Sequence, residues 1–221
     1  MITTIGIKAP DDFPTLAYNR LHDLITSQQR TQAIFNEYTG SWNAVASRFT
    51  TCAVQEQRFT ASYQQFGSSP TPDERYAQDD ALFIFFTAAL STIESFFYAM
   101  NAVGAFKNPN AFSLTPERGI VPSRVKQRFE GAFAQDDITR AMTLLLSDGK
   151  FTRLSVLRNI VSHRQSPARA FDVGGPQDGV TIWNAQNDVL TAEFLVNWRK
   201  WLANQMIGPC GSAVNFANRH L

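Results

Sequence analysis

The stretch Arg158-Asn159-Ile160-Val161-Ser162-His163 places a guanidinium, an amide, a hydroxyl and an imidazole within one and a half turns of a helix. On an ideal helix each residue advances about 100°. Projected that way, residues 151–163 divide into two arcs. Phe151, Leu154, Val156, Leu157, Ile160 and Val161 form a broad apolar arc, and Ser155, Arg158, Asn159, Ser162 and His163 lie opposite. A solvated helix face usually mixes Lys, Glu and Gln, whereas this one holds no acid and no lysine. Asn159 and His163 stand at i and i+4 and are neighbours. Arg158 and His163 are separated by roughly 140°, yet arginine is long enough to converge with the imidazole on one small ligand. Its planar fork of donors suits phosphate.

The charge around this segment is uneven. Residues 117–169 carry 10 basic and 5 acidic side chains, although the whole chain has a net charge of only +1. Between Lys150 and Arg169 there are five basic residues and no acid, and Arg outnumbers Lys 15 to 5 overall. For any single arginine a solvated helix face is the plainer account. The signal is the local clustering.

These residues need elements to hold them. Ala17, Leu21, Leu24, Gln28, Thr31, Phe35 and Tyr38, then Trp42, Val45, Phe49, Cys52, Glu56, Phe59, Tyr63 and Phe66, follow a 4-3-4-3 spacing that keeps one stripe facing a partner helix. Gly40 fits the residue after a helix end and Ser41 the next N-cap, which predicts a helical hairpin over 1–66. Gly67-Ser68-Ser69-Pro70 reads as a linker. Thr71-Pro72-Asp73-Glu74 is a capping box with proline at N1, so a long helix starts there and runs to about Gly104. Residues 107–122 read as a loop. Ser123 caps a short helix, and Asp136 or Asp137 caps the next. Asp148-Gly149 makes a turn before the helix that carries Arg158. Residues 168–188 contain the β-favouring run Val180-Thr181-Ile182-Trp183, the one candidate for a hairpin. Asp188 caps a last helix that ends at Gly208-Pro209.

The helix from Pro72 has an anomaly of its own. Thr87, Ser91, Glu94, Tyr98 and Asn101 recur at 4-3-4-3 in a segment otherwise packed with Phe, Leu, Ile and Ala. A buried polar stripe needs partners, and the Arg158–His163 face is the expected one. Glu94 would pair with Arg158, orient His163, or simply neutralise a half-buried arginine.

The six-residue stretch resembles the signature of the HEPN superfamily, an Arg and a polar residue followed within a few positions by His on a late helix of a helical bundle. ALSTIESFFYAMNA resembles that family's first core helix, and the likeness covers roughly residues 72–206. It implies an all-α, up-and-down bundle over 72–221, the N-terminal hairpin at 1–66 packed on it, and at most one small β-hairpin. It implies metal-independent cleavage of RNA, or RNA or nucleotide binding, by a homodimer that brings two motif helices together. His163 would be the general base or acid on a ribose hydroxyl, its unperturbed pKa being about 6.5. Arg158 would hold the scissile phosphate. Asn159, Ser162, Glu94 and Arg164 would bind or orient substrate and catalytic groups. The alternative is a non-catalytic helical interaction or dimerisation module in which the motif is structural.

Other chemistries find little support. No Gly-x-Gly-x-x-Gly, P-loop or nucleophile elbow occurs. With His22, His163 and His220 as the only histidines, neither a metal site nor any cofactor is expected. Cys52 and Cys210 read as reduced core thiols. The apolar run 81–106 is interrupted by Glu94, Ser91, Thr92 and Ser95, so a buried core helix rather than a membrane span is expected. The N-terminus lacks the features of a signal peptide, and a cytoplasmic protein is expected.

Overall fold

Seven α-helices dominate the computed structural model, which describes residues 3, 6–28, 31–164, 167–171, 181–186 and 188–221, with the backbone alone at 163, 164, 168, 171, 181 and 182. They are α1 (Thr15–Thr26), α2 (Gln32–Phe66), α3 (Pro72–Lys107), α4 (Pro122–Ala132), α5 (Asp137–Ser147), α6 (Gly149–Asn159) and α7 (Ala192–His220). A π-turn, Ile160–Arg164, continues α6. The fold is all-α, with one small antiparallel sheet of β1 (Ala168–Phe171), β2 (Thr181–Ala185) and β3 (Asp188–Val189), in that order. Trp183 lies opposite Arg169, and Ala185 opposite Asp188. The expected hairpin therefore gains a short third strand.

Local signals set several boundaries. The Thr71 backbone N–H and hydroxyl both donate to the Glu74 carboxylate, at 3.1 and 2.6 Å, and α3 begins at Pro72. Asp148 Oδ1 accepts from the Lys150 N–H at 2.7 Å, which opens α6. Other expectations fail for definable reasons. Gly40 does not end a helix: it sits inside α2, and Ser41 turns its hydroxyl back on the Glu37 and Tyr38 carbonyls instead of capping. The break between the first helices comes at Ser27. Pro122, not Ser123, opens α4. Asp188 lies in β3, and Thr191 accepts from the Phe194 N–H at 3.2 Å. Gly208-Pro209 is bridged, and α7 continues to His220. Cys210, Ala213, Phe216 and Ala217 beyond it are all buried. Burial of that face outweighs the cost of an interior proline, about 3 kcal/mol.

The chain forms two compact units, one of residues 1–50, 91–152 and 202–221 and the other of 51–90 and 153–201. Each of α2, α3, α6 and α7 contributes residues to both. In the first unit Trp42 stacks on Tyr18 with ring centroids 4.9 Å apart, and its indole N–H donates to the Tyr18 carbonyl. Phe112, Phe129, Phe133 and Phe216 form a second aromatic cluster there. Gly104 makes room for it, since a Cβ at that position would fall 2.5 Å from the Phe112 ring. Asp136 does not cap α5 with its side chain. Its carboxylate accepts from Arg219 at 2.7 Å and meets His220 at 3.0 Å, tying down the end of α7.

In the second unit Phe59 packs on Trp183, Phe86 on Trp198, and Trp198 edge-on to Trp201. Cys52 and Cys210 are buried free thiols, and burial pushes Cys210 up to about 12. Among the described residues α3 is the one helix long and apolar enough to cross a membrane. Of its most apolar window 67% is buried inside the protein, as a core helix requires.

Candidate functional site

Helix α6 is anchored by Leu154, Leu157 and, at its end, Ile160, all buried. Their i, i+3, i+6 spacing places them on one stripe. Ser155, Arg158, Asn159 and Ser162 are half-buried, as are Val156 and Val161, so the division into apolar and polar arcs is less sharp than the projection implies. The projection also stops holding after Asn159, because the chain enters the π-turn, whose bonds close over five residues instead of four. Pro167 follows three residues after Arg164. It has no N–H to offer the carbonyl of His163, so α-type bonding cannot continue to that point. Its own carbonyl accepts from the Trp183 indole at 3.0 Å. The His163 backbone lies in the π-turn with that of Arg164, and the side chains of both lie outside the described residues.

The basic segment around the motif is partly neutralised by acids from elsewhere in the sequence. Arg153 donates through Nε to Asp188 Oδ2 at 2.7 Å and through its Nη atoms to Gln186 and the Ala185 carbonyl. Arg169, with a side chain only 5% exposed, pairs with Asp79 at 3.2 Å. It also donates to the Ser68 carbonyl at 2.8 Å and to Gln78, and its guanidinium stacks 3.6 Å above the Trp183 ring. Burial lowers the Arg169 pKa and raises that of Asp79, in each case against the pull of the partner. Arg158 makes no ion pair among the described residues.

Glu94 belongs to the first unit, whereas Arg158, Asn159 and Ser162 belong to the second. Glu94 lines a pocket of about 510 Å³ together with Glu37, Arg48 and Tyr98. Part of the polar stripe of α3 finds partners in the first unit, whereas the buried Thr87 hydroxyl has no hydrogen-bond partner among the described residues. The Ser91 carbonyl and the Ser95 hydroxyl accept from Arg48. Tyr98 hydrogen-bonds to Glu37, and desolvation first, then the Glu37 carboxylate, pushes its hydroxyl up to about 12. Asn101 is fully buried, donating to the Ser113 carbonyl at 3.2 Å and accepting from Arg128 at 2.5 Å. The partners described for Tyr98 and Asn101 come from α2, α4 and the segment before α4. Glu37 and Arg48 were not candidates from sequence. The signal that exposes them is a glycine at 40 inside an otherwise uninterrupted helical period. Among the described residues no three His, Cys, Asp or Glu side chains stand together as metal ligands.

Comparison with protein-family models, with curated proteins and with solved structures gives no match to this chain.

Proposed function

We propose that this protein is a metal-independent endoribonuclease of the kind its resemblance to the HEPN superfamily implies, with Arg158 and His163 as the working pair. The observation that supports this reading is the disposition of the basic segment. Arg153 and Arg169 are committed to Asp188 and Asp79, while Arg158, half-buried beside the π-turn, has no carboxylate partner among the described residues. A guanidinium placed so is suited to a phosphate diester.

In this reading His163 takes the proton of a ribose 2′-hydroxyl as that oxygen attacks the adjacent phosphorus. The bond to the 5′-oxygen breaks, and the products are a 2′,3′-cyclic phosphate and a 5′-hydroxyl that receives a proton. Arg158 balances the charge growing on the phosphoryl oxygens. Asn159 and Ser162 orient the imidazole or the phosphate, and Arg164 adds a contact to the backbone of the strand. The reading includes a homodimer in the cytoplasm.

The experiment is cleavage of single-stranded RNA by purified protein in the presence of a chelator, with His163→Ala purified identically. Wild type should leave cyclic phosphate ends and spare DNA. The variant should lose about 100-fold to 10,000-fold in rate. Equal cleavage by both proteins, or none by either, refutes the nuclease. A non-catalytic interaction module would then be favoured, and the half-burial of Arg158, Asn159 and Ser162 fits that second reading.

A further inference from the structure

Asn101 is fully buried on α3 among Met100, Ala102 and Val103. A buried amide is costly unless its hydrogen bonds are made. Its Nδ2 donates to the Ser113 carbonyl at 3.2 Å, and its Oδ1 accepts from Arg128 Nη1 at 2.5 Å. The same Nη1 donates to the Ser113 carbonyl at 3.0 Å, which closes a triangle around one end of the guanidinium. Both acceptors are neutral, so Arg128 is oriented without being neutralised.

Other half-buried arginines are treated differently. Arg153, Arg169 and Arg199 each meet a carboxylate, of Asp188, Asp79 and Glu56. Arg128, like Arg158, makes no ion pair among the described residues. Its Nε and Nη2 have no protein acceptor among them either, and neither atom is enclosed. Three N–H donors of a fixed fork therefore face outward.

Arg124 stands one turn earlier on the same face of α4. It is exposed, and its guanidinium reaches back over Gly119, with Nη1 3.3 Å from where a Cβ there would stand. Among the described residues it has no ion pair or hydrogen bond of its own. Like charges at this spacing repel. Burial first, then the Arg124 charge, lowers the Arg128 pKa. The first turn of α4 carries no acid and no side-chain cap, so the positive end of the helix adds to the field. The one acid of α4, Glu130, is held by Lys126 at 2.8 Å. All these groups belong to the first unit.

We propose that Arg124 and Arg128 form a binding site for a dianionic phosphate, free or as a monoester, seated between the outward edges of the two guanidiniums. Such a group carries about −1.5 to −2 charge at neutral pH, which two guanidiniums match. A phosphate diester carries half that charge. The site is separate from Arg158, which belongs to the second unit, and stands whether or not the protein cleaves RNA.

Isothermal titration calorimetry on the full chain, at constant ionic strength, tests this with inorganic phosphate, phenyl phosphate and dimethyl phosphate. At least one of the first two should bind, and whichever binds tighter names the source of the group. Dimethyl phosphate should bind at least tenfold more weakly. Arg124→Gln should weaken phosphate binding at least tenfold without lowering Tm, since that side chain holds nothing else. Lys126→Gln, which removes one charge elsewhere on the same helix, should leave affinity unchanged. The proposal is overturned if neither dianion binds at millimolar concentration, if dimethyl phosphate binds as well, if Arg124→Gln binds undiminished, or if Lys126→Gln weakens binding equally. Should Arg124→Gln melt early, Arg124→Lys decides, because it keeps the charge and loses the fork: unchanged affinity overturns the assignment.

Discussion

Replacing Arg169 with Met keeps an unbranched stem against Trp183 and removes the guanidinium. The loss covers an ion pair to Asp79, hydrogen bonds to the Ser68 carbonyl and Gln78, and a cation stacked 3.6 Å above an indole. Breaking a buried pair from one side costs about 3–5 kcal/mol, because a charge is left without its partner. The Asp79 side chain keeps 24% exposure, so water recovers part of that loss and the lower end, about 3 kcal/mol, is expected. For a protein of this size that corresponds to a fall of roughly 6–12 °C in Tm. Burial already holds the Asp79 carboxyl above its ordinary value despite the pull of Arg169. Its contribution to stability is therefore full below the unfolded pKa and is lost as pH rises through the folded one. Without Arg169 that carboxyl rises further, so the damage should be greatest at neutral pH and smaller near pH 4. Since burial disfavours both charges, removing both should hurt less than removing one, and Asp79→Asn with Arg169→Met should recover most of the loss. Urea denaturation followed by tryptophan fluorescence at both pH values reads all of this. A single variant within 0.5 kcal/mol of wild type would refute the reasoning, as would a double variant no better than the single one.

Three further outcomes are expected. Spectrophotometric titration should place Tyr98 near 12, and Glu37→Gln should bring it down without returning it to 10, because desolvation is the larger cause. That tyrosine supports folding below 10 and its contribution disappears as pH rises through 12. Gly104→Ala should cost about 1–3 kcal/mol in denaturant melts, since its Cβ would collide with the Phe112 ring. Arg158→Lys should reduce RNA cleavage while leaving Tm unchanged, because the charge stays and the planar fork is lost; undiminished cleavage would remove Arg158 from the proposed site.

What the sequence by itself determined is what operates within a turn or two of the chain. The Thr71–Glu74 cap and the start of α6 behind Asp148 depend on neighbours a few residues away, and the strand around Trp183 on its β-favouring side chains. The all-α class follows from the same helical periodicity, sustained over most of the chain. Tertiary structure decided where those local signals are overruled. Gly40 and Gly208-Pro209 read as stops, yet both lie inside helices whose flanking residues, Tyr38 and Trp42 or Cys210 and Ala213, are buried. A breaker costs about 1–3 kcal/mol, and several buried side chains together exceed that. Charge was the least legible of all. Lys150–Arg169 contains no acid, but Asp79 and Asp188 neutralise Arg169 and Arg153 from 90 and 35 positions away. Asp136 and Asp188, both expected to cap helices, instead hold arginines distant in the sequence. Opposite charges find each other in space, over ångströms, and a linear sequence does not record that distance.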